Sequence, residues 1–301
     1  MSRDHIIPRF ILRGFAISPT KSKSKQRIMI YNKETRLVIT EKIDDAYALP
    51  NFNSPDTEQY LANEYESKVA RLFQRIAGAA NTNQPCVSFS TDEYNLLFRF
   101  FVIMWRRNDI HLERTREMAL QFEGYFKSIF GSHYKAMLNP EYKDYTIEKM
   151  FNERIDDIRT VLYDKLIRET TDDDTTVLKT IMNYHPVIIE NKSKIHFLLH
   201  NTYSTLVYAV SKNQTDINTE DMPCFMICPI SKTLCFCLLP GKNETSLSKG
   251  HTKIPIEIWD NDEDIKRHFI DGYITKAAKS FVVDETNMDF VQALTYKKAH
   301  R

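Results

Sequence analysis

The stretch that most constrains this chain is Leu96-Leu97-Phe98-Arg99-Phe100-Phe101-Val102-Ile103-Met104-Trp105, where Arg99 is the only charge. It follows Ser90-Thr91-Asp92-Glu93. In such a Ser-x-x-Glu box the hydroxyl and the carboxylate each accept a hydrogen bond from the other residue's backbone N–H, and a helix starts. A helix that is apolar almost all round has no solvent face, so it belongs at the centre of a core. The run is too short to cross a bilayer. The rest of the chain must therefore wrap it.

Arg99 sets a second demand. A guanidinium keeps its charge, so when buried it must meet a carboxylate or a bound anion. Arg106 lies seven residues on, on the same face and about 10 Å along the axis. Asp92 and Glu113 extend the same line. The line reads either as an internal arginine–carboxylate network that fixes packing or as an anion-binding row.

Ser54-Pro55 opens an earlier helix, expected to stop at Gly78. On a wheel of about 100° per residue, Leu61, Tyr65, Val69, Leu72 and Ile76 form one apolar stripe. Glu58 falls inside that stripe at the first turn; Glu64 sits at its edge, one turn before Lys68. The two acids read either as ordinary helix-terminus and surface charges or as carboxylates facing a partly buried pocket.

Around these helices, Pro8 to Gly14 reads as a short helix, and residues 26–31 and 36–40 as a β-hairpin. The helix from Thr91 is expected to continue, kinked, towards Gly131. Further helices are expected at about 146–169 and 175–183. After His185-Pro186 come short β-branched and aromatic runs: 195–199, 205–210, 224–227, 234–239 and 254–259. A last helix is expected at about 263–281, with Val282-Val283 as an edge strand. The fold class is α+β: a helix-rich first part carrying a hairpin, then a mostly antiparallel sheet and a C-terminal helix. It reads as one domain over 1–301, with a subdivision near 184/185.

Lys and Arg total 41 against 40 Asp and Glu, so a polyanionic partner would have to be met by a local patch. Lys21, Lys23, Lys25 and Arg27 supply one: a basic arm that could contact the phosphates of a nucleic acid. The seven glycines are too scattered for a Gly-rich phosphate loop, which excludes Walker, Rossmann and kinase signatures. The apolar N-terminus is interrupted by Arg9 and Arg13, so neither a signal core nor a membrane anchor is expected. With five cysteines and no export signal, reduced thiols in the cytoplasm are expected. Cys224, Cys228, Cys235 and Cys237 lack the spacing of zinc knuckles and read as packed thiols; no metal site is assigned.

The segment Asp4-His5-Ile6-Ile7-Pro8-Arg9-Phe10-Ile11-Leu12-Arg13-Gly14-Phe15 resembles the opening His-His-x-x-Pro-x-x-(Tyr/Phe)-Leu-x-x-Phe of a mainly bacterial family, the domain of unknown function numbered 4238. Later features follow in the family's order: Met29 to Lys33, Thr57 to Glu64, Phe101 to Arg106, and Pro229-Ile230-Ser231. Asp4 stands where the family has the first His of its pair. His200-Asn201-Thr202-Tyr203-Ser204 lacks the Asp and Pro of the family's Thr-Ser-Asp-x-Pro segment. The resemblance implies no settled activity, but its matched positions select His5, Glu64 and Arg106 as a candidate acid/base and anion clamp. Arg9, Glu58 and Arg99 are the supporting anion- or substrate-binding candidates. The expected function is a phosphate-ester enzyme, such as a nuclease of a bacterial defence or toxin system, with a divalent metal as its candidate cofactor. The alternative is a non-catalytic binding or regulatory module whose His/Glu/Arg network is structural.

Overall fold

The computed structural model describes residues 3–50, 52–107, 109–130, 146–171, 184–201, 205–208, 224–239, 251–271 and 279–299. The fold is α+β. The central helix α4 (Thr91–Arg106) starts at the full Ser90/Glu93 capping box. Leu97, Phe98 and every residue from Phe100 to Met104 are buried. Phe10 of α1 (Arg9–Arg13) and Phe73 of α3 (Ser67–Asn81) cover one side, 6.0 and 6.3 Å from the Phe100 ring. Phe236 of β10 (Leu234–Leu239) lies 4.8 Å from Phe101 and 6.2 Å from Phe98. Helix α7 (Ile155–Thr171) also packs on α4.

Among the described residues the strands form three sheets. The largest runs β5 (Cys86–Ser90), β11 (His251–Trp259), β6 (His185–Asn191), β10, β9 (Cys224–Pro229), β8 (Thr205–Tyr208). It is antiparallel except for the β6–β11 pair. The second sheet runs β3 (Val38–Lys42), β2 (Arg27–Asn32), β12 (Ser280–Val283), β7 (Leu199–His200). The third is β1 (Arg3–His5) on β4 (Ala48–Pro50). Strands from the first half of the chain thus pair with strands from the second: β5 with β11, and β2 with β12.

The hairpin and the apolar stripe fold as expected; several element boundaries do not. The helix after Ser54 runs as α2 (Pro55–Tyr60), a π-helical turn (Leu61–Glu66) and then α3. Gly78 does not end it: the helix runs on through Gly78 to Asn81, with no left-handed backbone at the glycine. The stop comes at Thr82, whose hydroxyl donates to the Gly78 and Ala79 carbonyls. At Arg107 the backbone leaves helical geometry, and α5 (Asp109–Phe130) follows. The 146–169 region divides at Arg154 into α6 (Ile147–Glu153) and α7. The helix expected at about 175–183 lies outside the described residues.

The strand expected at 195–199 forms only at its end, as β7. Upstream, the Asn191 amide and the Ser193 hydroxyl donate to the Ile195 carbonyl at 2.8 and 3.0 Å and hold the chain in a local turn. The last helix is not continuous to Phe281. Short α8 (Asp262–Ile265) leads into a π turn (Lys266–Asp271), whereas Phe281, Val282 and Val283 form an interior strand rather than an edge. The C-terminal helix is α9 (Met288–Ala299). No described helix is long and apolar enough to cross a membrane.

Gly14 ends α1 where the turn after β9 passes over it. Its carbonyl accepts from Lys232 N at 3.2 Å, and a Cβ on Gly14 would collide with the Ile230 carbonyl oxygen. Gly14→Ala should therefore cost about 1–3 kcal/mol, since both neighbours are backbone and cannot turn away. Chemical denaturation checks this; an unchanged midpoint would refute the contact.

Candidate active-site cleft

The polar site begins at the N-terminus. Pairing of Asp4 with Leu49 and of His5 with Ala48 holds β1 on β4. Alternation along the strand sends the two side chains to opposite faces. The buried Asp4 carboxylate accepts from the backbone N–H of Asn53 at 3.2 Å. The Asn53 side-chain amide then donates to Glu58 Oε2 at 2.5 Å. One asparagine therefore ties together two carboxylates from separate parts of the chain. Ser54 caps α2 by accepting from Thr57 N, which fixes where Glu58 leaves the first turn.

On the other face, His5 Nε2 lies 3.3 Å from the Ile43 carbonyl. A carbonyl only accepts, so this nitrogen carries the proton. Burial pushes the His5 imidazole below its ordinary pKa, and the Arg9 charge adds to this. The Ile43 bond, Asp44 and Glu58 offset only part of the shift. Arg107 braces the strand from behind. Its guanidinium is buried, donates to the His5 carbonyl at 3.0 Å and lies over the Phe52 ring at 5.4 Å. Arg159 of α7 lies 5.3 Å from the same ring, and Tyr163 packs against it at 5.0 Å. Phe52 thus joins the N-terminal strand to α7. Glu66, at the end of the π turn, has its carboxyl pushed up by burial; Arg107 opposes the shift and Glu58 adds to it.

Asp4, Asn53 and Glu58 face a cleft of about 830 Å³. Arg154, Asp157, Thr160 and Val161 form its other wall. Arg154 donates from Nε and Nη2 to one oxygen of Asp157, at 3.2 and 3.1 Å. The cleft therefore sets a carboxylate-and-amide wall against one carrying a guanidinium paired to its own carboxylate, and a hydroxyl. That arrangement can orient a polar substrate and exchange a proton with it.

The sequence-selected residues do not all meet here. Glu58 lines the cleft; His5, on the opposite face of β1, and Arg9 do not, and Arg9 makes an exposed 3.4 Å pair with Asp44. Glu64 is exposed, bonded to Lys68 at 2.7 Å, and with Arg99 and Asp92 lines a separate hollow of about 330 Å³. There burial pushes the Tyr65 phenol far up, reinforced by Tyr60 and opposed by Arg99. Arg106 ends α4, but its side chain lies outside the described residues. Lys21, Lys23, Lys25 and Arg27 are all exposed. Cys228, Cys235 and Cys237 are buried, with the latter two sulfurs 3.6 Å apart. Among the described residues no group of three or more His, Cys, Asp or Glu is placed to hold a metal.

Sequence reasoning passed over Asn53, Glu66 and Arg107. Glu64 and Glu66 flank the apolar stripe on opposite sides, and a wheel alone does not choose between them. Arg107 lies one residue beyond the helix, where wheel geometry no longer applies.

A family model described as Protein of unknown function (DUF4238) matches residues 3–301. The chain belongs to this family. No curated protein and no solved structure matches it. In this DUF4238 chain, Asp4 is the carboxylate bonded to Asn53 N. His200 is buried in β7, and 202–204 lie outside the described residues.

Two outcomes follow from the Arg107–His5 pairing. Arg107→Met should leave the His5 carbonyl without its donor and Glu66 without its nearest positive charge, costing about 3–5 kcal/mol by thermal or denaturant melt. An unchanged melt would show that Arg107 braces nothing. The depressed His5 pKa makes folding favour the neutral ring, so this contribution is whole above about pH 6.5 and is lost as pH falls below it. Wild type should therefore lose more melting temperature between about pH 7.5 and pH 5 than His5→Gln does. Equal losses would contradict the shift.

Proposed function

We propose that the protein is an enzyme acting on a phosphate ester, that the cleft between α2 and α7 is its active site, and that its natural substrate is nucleic acid in the cytoplasm. The carrying observation is the opposition of walls: Glu58, held by Asn53, faces Arg154 and Thr160 across the open cleft. In this reading Arg154 holds the phosphate oxygens with the N–H groups it does not spend on Asp157, and Glu58 takes the proton of the attacking water as the P–O bond to the leaving group breaks. Asn53 and Asp4 position Glu58; Arg107 and His5 fix the strand that carries Asp4. Lys21, Lys23, Lys25 and Arg27 extend the phosphate contacts along a polymer. A bacterial defence or toxin nuclease is the specific form of this reading.

The second reading, a non-catalytic binding module, is favoured by the fact that Asp4 and Arg107 bond to backbone groups, as a structural network would. One experiment separates the two. The purified protein is incubated with RNA, DNA and p-nitrophenyl phosphate, with and without magnesium or manganese, beside Glu58→Gln. The enzyme reading expects turnover in wild type and a loss of about 100-fold or more in Glu58→Gln at an unchanged melting temperature. Absence of turnover on all substrates, or turnover indifferent to Glu58, would leave the binding reading.

A further inference from the structure

Three distant segments meet around a hollow of about 180 Å³: His196 before β7, Lys232 in the turn after β9, and Asp284 after β12. Asp284 Oδ1 accepts from Thr286 N and Oγ1 at 2.9 and 2.7 Å. Its Oδ2 lies 2.5 Å from His196 Nδ1 and 3.3 Å from Lys232 Nζ. Burial alone would push the Asp284 carboxyl up; the His196 and Thr286 bonds outweigh it and hold the group well below the usual carboxylate range. An ionised carboxylate only accepts, so Nδ1 carries a proton, and whenever the ring is neutral the lone pair is on Nε2. No described residue bonds Nε2, and His196 lines the hollow. Asn287 donates to the His196 carbonyl and Thr286 Oγ1 accepts from His196 N, so the ring's backbone is fixed as well.

A carboxylate that sets the tautomer, an imidazole with an open nitrogen and an adjacent ammonium are the parts of a general-base centre. Size narrows the substrate. A hollow of about 180 Å³ with Ile17 and Met29 in its lining admits a small ligand with an apolar part, such as an ester of a short acid.

We propose that His196 is the base of a second reaction centre, separate from the cleft, that hydrolyses a small neutral carboxylic ester. Nε2 takes a proton from a bound water as its oxygen bonds the ester carbonyl carbon. The Lys232 ammonium faces the oxyanion so formed. The C–O bond to the alcohol then breaks, and the imidazolium returns the proton to the departing oxygen, leaving acid, alcohol and the original dyad.

The test is hydrolysis of p-nitrophenyl acetate by the full chain across pH. His196→Gln should lose at least ten-fold in rate, while His185→Gln, outside the hollow, should keep the wild-type rate. Lys232→Met should lower kcat more than it raises KM. Asp284→Asn should lower the rate as well, because Nδ1 then loses the carboxylate that fixes the tautomer. Equal rates in wild type and His196→Gln would overturn the proposal. Nitrogen NMR of the wild type covers a variant that fails to fold: near pH 8 the His196 signals should show a protonated Nδ1 and a bare Nε2, and the reverse tautomer would equally overturn it.

Discussion

The buried residues of α4, Leu97, Phe98 and Phe100 to Met104, can exist in water only if other elements cover them, and through them α4 imposes that condition on the whole molecule. Its phenylalanines dictate the neighbours: Phe10 and Phe73 against Phe100, Phe236 against Phe98 and Phe101. Because β5 ends at Ser90 and α4 begins at Thr91, the sheet edge and the helix axis are joined without a loop. The helix is thus aimed by the strand before it and enclosed by the sheet that the strand joins. Its far end delivers Arg107 to where its buried guanidinium finds the His5 carbonyl and the Phe52 ring face.

Seen this way, the cleft is a product of how α4 is capped at both ends. At the C-terminal end, Arg107 and Phe52 hold β1 and α7 together, and the space left between α2 and α7 is lined by what those elements bring. Two carboxylates share one asparagine there because β1 and the start of α2 have been brought into register. The π turn at Leu61–Glu66 keeps Tyr65 in the core and leaves Glu66 near Arg107 and Glu58, so the cluster of charges is coupled through the helix as well as through space.

Much of this was legible in the chain. Periodicity placed the buried stripe of α3, the Ser-x-x-Glu box placed the start of α4, and alternation with a polar turn placed the β2–β3 hairpin. Those signals are local. What the sequence hid was non-local or broke a period. β6 is buried along nearly its whole length, so it shows no alternation. β1 and β4 are three residues each and exist only because they pair with each other. Arg107 was hidden because the helix ends one residue earlier, and Asn53 because its importance lies in two partners that chain position does not reveal. His196, Lys232 and Asp284 carry no motif at all; only the closure of the second sheet brings them together.

That closure has a consequence for how the protein is made. Met29 of β2 pairs with Val283 of β12, across more than two hundred intervening residues. During synthesis the hairpin emerges with one edge of backbone donors and acceptors open, and it waits for all those residues before its neighbour arrives. On the other side, Ile39 of β3 and Leu37 just before it are exposed. The nascent chain therefore carries an unsatisfied strand edge over that whole length, a site at which it can pair with other chains until β12 is released.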